Sequence, residues 1–217
     1  MRGYLASLGA VGALVALVAL LVIPMMNGGS APDSRAQGDA DASARMKDVE
    51  GDFVGVVRFE VKNRGKVEVE VRVNGVVPRG QFHGFHLHTT GKCDPKAVDP
   101  ETDKVVPFFS AGSHFNPDSD DHGEHAGDFP VLLVMKNGHA KEQFKTDRFE
   151  LSQLFDNDGS AVIIHAGRDN YANIPAKTPD GEKRYHSHLE NVFGPDSVTK
   201  ATGDAGDRFA CGVVRKG

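Results

Sequence analysis

The chain has 217 residues, 39% hydrophobic and 25% charged, with 25 glycines and no tryptophan, which allows one sizeable core domain with appendages and favours a turn-rich fold over a helix bundle. Its formal net charge is −5, so it has no global basic field and nucleic acid is excluded as a partner. The same acidity counts against an anionic substrate unless a local field at a cleft overrides it.

Arg2 precedes an apolar run from Leu5 to Ile23, and residues 1–26 read as a signal peptide or a signal anchor. The run is long for the apolar part of a signal peptide and nearly long enough to span a bilayer, so residues 5–26 are a candidate membrane tether. Residues 27–52, rich in small and acidic side chains, read as a flexible linker. Cleaved or retained, the leading segment places the folded part, residues 53–217, outside the cytoplasm: periplasmic, on the cell surface or secreted.

From Phe53 the pattern becomes that of strands. Phe53–Val61 alternates loosely, and Asn63-Arg64-Gly65 signals a turn. Val67, Val69, Val71 and Val73 then alternate with Glu68, Glu70 and Arg72, the period of a half-buried antiparallel strand. Further strands are expected at 82–87, 129–135, 139–145, 160–165 and 208–214, with Asn137-Gly138 as a hairpin turn. Long Pro/Gly/Asp-rich loops are expected at 94–113, 116–127 and 169–206. Short strands joined by long loops predict an all-β sandwich or barrel, and long loops on such a scaffold usually carry function.

These loops and strand ends hold most of the chemistry. His86 and His88 sit two apart on a strand, so both imidazoles face one side and can reach one ion. His165 ends another strand. His114, His122, His125 and Asp128 fall within fifteen positions, and three histidines with one aspartate make a closed tetrahedral set suited to zinc. Imidazoles suit copper as well as zinc. Seven such ligands leave two four-coordinate ions one ligand short, unless one histidine uses both ring nitrogens. Cys93 and Cys211 have no C-x-x-C neighbour. They form one structural disulfide if the chain is exported, or else are two unpaired buried thiols.

Five segments, GFHLH (84–88), SAGSHFNP (110–117), HAGD (125–128), VIIHAGRDN (162–170) and TGDAGDRFACGVV (202–214), together resemble the copper–zinc superoxide dismutases. The resemblance spans about residues 53–215 and is nearest the exported bacterial branch, in which a long insertion separates the first cysteine from the bridging histidine. It implies a Greek-key antiparallel β-sandwich or flattened barrel with long metal-binding and electrostatic loops. It implies one copper per chain on His86, His88, His114 and His165, and one zinc on His114, His122, His125 and Asp128. His114 would bridge the two ions, which supplies the missing ligand. Asp169 would join His86 to His122 and fix both. Arg208 would sit above the copper, with His114 and Arg208 carrying the catalysis of superoxide conversion to dioxygen and hydrogen peroxide. Cys93 and Cys211 would be the family's disulfide. Gly84 would pass close behind the copper histidines, and His83 would be structural. A homodimer is also expected. Two features depart from many relatives. The step from His122 to His125 is short, which predicts a compact zinc loop. Ala201 stands where a steering cation precedes Thr202, so Lys200 is the nearest candidate for that role.

Two rival readings are weaker. An exported copper/zinc carrier without catalytic activity would need neither Arg208 nor a full bridged set. A cupin fits Gly80, His86 and His88 but lacks the glutamate expected within residues 89–94.

Overall fold

The computed structural model describes residues 40–217. Its strands are β1 (Ala42–Asp48), β2 (Phe53–Val61), β3 (Val67–Val73), β4 (Gln81–His83), β5 (Phe85–His88), β6 (Val98–Asp99), β7 (Lys104–Val105), β8 (Leu132–Val134), β9 (Ala140–Thr146), β10 (Ala161–His165), β11 (His186–Ser187), β12 (Val192–Phe193) and β13 (Arg208–Lys216). One α-helix, α1 (Ser197–Thr202), and three short 3-10 turns are present among the described residues. The period-two reading of β3 is borne out: Val67, Val69, Val71 and Val73 are all buried, and the charged residues between them face outward.

Seven strands form one antiparallel sheet in the order β5-β10-β13-β1-β2-β3-β9. β9 and β10 follow each other in the chain yet lie at opposite sides of this sheet, which is the Greek-key crossing. The edge strands β5 and β9 are preceded by β4 and β8, and β4 pairs with β8 through Gln81↔Val134, Phe82↔Leu133 and His83↔Leu132. That pairing curls the sheet towards a flattened barrel and covers edges that would otherwise be open. The main core fills the inside, around Phe59, Phe85, Phe129, Leu87, Leu132 and Leu154.

Residues 42–48 correct the expectation of a flexible linker over 27–52. They form β1, paired with β13 on one side and β2 on the other, with Ala42, Ala44 and Met46 fully buried. The folded domain therefore begins at β1, ahead of Phe53. Residues 1–26, with the candidate signal and tether, lie outside the described residues, as does the linker up to residue 39. No helix among the described residues is long and apolar enough to cross a membrane.

The expected long loops contain small elements of their own. The first carries the β6–β7 pair, and the last carries the β11–β12 pair and α1. Cys93 and Cys211 are joined as a disulfide, 118 residues apart, so the alternative of free thiols falls. The tethered loop covers the outer face of β10 and β13 and builds a second, smaller core from Phe108, Ala111, Ala161, Ile163 and Cys211.

Candidate metal centre

Six histidines and two aspartates meet at one end of the sheet. β5 brings His86 and His88, and its backbone bridges to the following loop at His86↔Asp128 and His88↔His114. β10 brings His165 opposite Arg208 on β13, with a register shift between Ile164 and His165. A bulge at this point re-aims the two side chains. Gly84 lets the chain approach as expected: a Cβ there would lie 2.6 Å from the Ala205 Cβ and 3.1 Å from His86 Cε1. His83 is buried and bonds through its two nitrogens to the His165 and Pro78 carbonyls, at 2.7 Å each, a structural role.

His86, His88, His114 and His165 are all buried, and one nitrogen from each converges so that these atoms lie within 4.8 Å of one another. The second nitrogen of three of the rings is fixed elsewhere. His86 Nε2 donates to Asp169 Oδ2 at 2.7 Å, His88 Nδ1 to the Gly112 carbonyl at 2.9 Å, and His165 Nδ1 to the Gly206 carbonyl at 2.9 Å. Those acceptors leave His86 Nδ1, His88 Nε2 and His165 Nε2 as bare lone pairs, and these atoms, with His114 Nε2, have no hydrogen-bond partner. Buried polar atoms without partners are costly, and four aimed at one point fit a metal ion. The donor set, four imidazoles, suits copper.

The second set gathers on the other side of His114. Asp128 Oδ1 lies 2.9 Å from His114 Nδ1, 3.2 Å from His122 Nδ1 and 3.4 Å from His125 Nδ1, and the His114 and His125 Nδ1 atoms are 3.4 Å apart. Four ligands at zinc's bond length make a tetrahedron with edges of about 3.3 Å, so the spacing fits zinc. Asp128 Oδ2 accepts from the backbone N–H of Gly123 at 2.7 Å and of His125 at 3.1 Å, which turns Oδ1 towards the imidazoles. The short step from His122 to His125 still delivers both rings. His114 faces both sets, one with each nitrogen.

Asp169 lies between the sets. Its Oδ1 accepts from His122 Nε2 at 2.7 Å, opposite the bond from His86. Burial by itself would raise the Asp169 and Asp128 carboxyls, but hydrogen bonds from the surrounding histidines outweigh it and hold both well below the usual carboxylate range. His114 is lowered to about 3, chiefly by burial. Burial also opposes charge on His122, but hydrogen bonds to Asp128 and Asp169 outweigh it and raise the ring to about 9.

Arg208 is lowered to about 10 by burial and remains charged. Its guanidinium donates to the Phe108 carbonyl at 2.5 Å and the Gly112 carbonyl at 2.7 Å. Gly112 thus accepts from both His88 and Arg208 and fixes one against the other. Lys200 and Thr202 lie on α1. The Lys200 ammonium sits 3.1 Å from the exposed Asp121 carboxylate, while its backbone carbonyl accepts from the His122 N–H at 2.7 Å.

Three supports went unread in the sequence. Tyr171 donates its N–H to Asp169 Oδ1 at 2.7 Å, and its hydroxyl accepts from Val131 N and donates to the Phe129 carbonyl. Arg148 reaches the Gly123 and His125 carbonyls at 3.1 Å each and braces the compact loop. Gly203 ends α1 in the left-handed region at φ 59 and runs hard against the His122–Asp169 bond. The glycines of the TGDAG segment (202–206) hinted at the last; nothing local marked the other two.

A family model described as copper/zinc superoxide dismutase matches residues 53–214. A superoxide dismutase [Cu-Zn] from Mycolicibacterium paratuberculosis is 37% identical over 195 residues, covering 89% of this chain and 82% of the relative. One from Mycobacterium tuberculosis is 36% identical over 196 residues, covering 89% and 78%. Among solved structures, the Cu/Zn superoxide dismutase from Brucella abortus aligns with TM-score 0.56 at 25% identity, over 80% of this chain and 99% of that one. A SOD-like protein from Bacillus subtilis aligns with TM-score 0.55 at 26% identity, over 79% and 96%.

Proposed function

The chain belongs to the copper/zinc superoxide dismutase family, and from that premise we propose which of its side chains carry the reaction. The protein is an oxidoreductase acting on superoxide, with copper and zinc as cofactors. Two superoxide anions and two protons become one dioxygen and one hydrogen peroxide.

His86 Nδ1, His88 Nε2, His114 Nε2 and His165 Nε2 would hold copper; His114 Nδ1, His122 Nδ1, His125 Nδ1 and Asp128 Oδ1 would hold zinc. Bound copper supplies the one-electron redox change that the reaction needs and zinc cannot. The observation that carries this assignment is the convergence of four buried, partnerless imidazole nitrogens on one point. His114, anchored through Nδ1, exchanges a proton at Nε2 without leaving its place, since protonation and metal binding compete for the same lone pair. That proton and a second from solvent complete the hydrogen peroxide. Asp169 fixes the orientation of His86 and His122. Arg208 holds a positive charge and free N–H groups for the incoming anion. Lys200 shares its charge with Asp121, so the fixed part of the attraction rests on Arg208.

The disulfide and the bacterial relatives indicate an extracytoplasmic location. We read residues 1–26 as the export signal, with residues 5–26 the tether if it is retained. We read the outer face of the β4–β8 pair as a homodimer surface: Phe82, Leu133 and Met135 are 45%, 52% and 50% exposed, and Phe82 stands directly across from Leu133. Leu133→Lys should turn a dimer into a monomer in sedimentation; a wild-type chain that already sediments as a monomer refutes this part.

Metal analysis of the purified protein beside a superoxide-consumption assay tests the main reading. One copper and one zinc per chain with high activity are expected. Full metal loading without activity would favour the carrier, and failure to bind either metal would overturn the assignment.

A further inference from the structure

An opening away from the metal centre lies on the outer face of β1 and β13, beneath the loop tied down by the disulfide. Its volume is about 590 Å³, and its lining includes Arg45 and Lys47 of β1, Arg215 of β13, Phe108, Cys93 and Cys211. The volume falls within the range of small-molecule sites. The cavity exists because the tethered loop packs on β10 and on the Cys211 part of β13, where the small second core forms, and does not extend over the β1 side.

Its chemistry is unbalanced. The wall formed by Cys93, Pro95 and Val213 is apolar and partly exposed. Arg45, Lys47 and Arg215 all stand around it, and none of the three makes an ion pair with any described residue; Arg45 lies over the Phe53 ring, 4.4 Å from its centre. One carboxylate, Asp48, shares the lining. Three cations and one carboxylate thus line this opening on a chain with a formal net charge of −5.

We propose that this cavity binds a small amphipathic organic anion, its apolar body against Cys93, Pro95 and Val213 and its acidic group between Arg45 and Arg215. An acidic group meets the cations by charge-assisted hydrogen bonds, and an apolar body covers the part-exposed Cys93, Pro95 and Val213 surface. Arg45 and Arg215 have no part in the metal centre, so binding and dismutation separate cleanly.

The test is a fluorescence titration of the full-length, metal-loaded protein with anilinonaphthalene sulfonate, which joins an apolar body to a sulfonate. Saturable binding of one probe per chain is expected. Arg45→Gln with Arg215→Gln should raise its Kd about tenfold, and Ser43→Trp, which fills the cavity from β1, should abolish binding; both should leave dismutase activity unchanged. Leu133→Ser, on the far exposed patch, should not alter the Kd. Decanoate should displace the probe, while decanol at the same concentration should not. A Kd unchanged in both cavity variants would overturn the proposal, and so would loss of binding in Leu133→Ser.

Discussion

At the scale of single residues, one carboxylate holds two imidazoles that differ in basicity. Asp169 bonds His86 and His122 at 2.7 Å each. Burial lowers His86, whereas His122 has Asp128 as a second carboxylate partner and rises to about 9. His88 and His165 fall well below the ordinary value and His114 falls to about 3, burial being the main cause in each. In the metal-free protein the unfolded chain therefore takes up protons below about pH 6.5 that the folded chain refuses, and each such histidine removes about 1.4 kcal/mol of stability per pH unit. His122 acts in the opposite sense: its contribution is complete below its unfolded value and is lost as the pH rises through about 9. The lowered Asp128 and Asp169 contribute above the ordinary carboxylate range and lose that contribution only in stronger acid. Chelator-stripped protein should thus unfold at lower urea at about pH 5 than at about pH 7; equal midpoints would contradict the burial of neutral imidazoles. Gly203 gives a second test. A Cβ there would stand 2.0 Å from Asp169 Oδ1 and 2.2 Å from His122 Nε2. Gly203→Ala should cost about 1 kcal/mol or more in backbone strain and, by displacing the orienting carboxylate, weaken zinc about 10–100-fold in chelator competition. Unchanged zinc affinity would show that Asp169 does not set it.

At the scale of elements, legibility followed locality. β3 could be read because its valines repeat at period two within one segment, and the His86/His88 pair because both lie on β5. β1 has the same alternation, with Ala42, Ala44 and Met46 inward and Ser43, Arg45 and Lys47 outward, but two of its three inward residues are alanines, so it blended with the small, acidic stretch before it. Tyr171 and Arg148 could not be read because their contacts cross from one loop to another and leave no periodic trace. The metal-ligand candidates emerged from motif order across the chain, yet the carbonyls that select each ring's free nitrogen are a product of the fold alone. The disulfide loop shows how far this dependence runs, since Phe108 and Gly112 on it hold Arg208 in place. Replacing Cys93 and Cys211 with serine frees a closure across 118 residues, worth about 5 kcal/mol on chain-entropy grounds, or roughly 10–20 °C in Tm for a domain of this size. Activity should fall as well, even in samples that keep their metals, because Arg208 loses its anchor. A Tm within about 2 °C of wild type would refute the stabilising role.

At the scale of the whole molecule, a chain of net charge −5 must attract an anion, so attraction has to come from local charge against an unfavourable background. The two candidate cations beside the site are not equivalent. Arg208 is held by two backbone carbonyls and has no carboxylate partner among the described residues. Lys200 is exposed and lies 3.1 Å from Asp121, so the pair presents little net charge beyond a Debye length, about 8–10 Å at ordinary salt. The catalytic rate should fall as ionic strength rises, since salt screens the attraction but leaves the buried chemistry intact. Arg208→Ala should cut the rate roughly tenfold or more and flatten its salt dependence. Lys200→Ala should change either quantity by less than about twofold, because it removes a neutralised charge; Asp121→Ala should raise the rate slightly by releasing that charge. Stopped-flow superoxide decay across a salt series measures all three. If Arg208→Ala kept the wild-type slope while Lys200→Ala lost it, the attraction would belong to α1 and not to the start of β13.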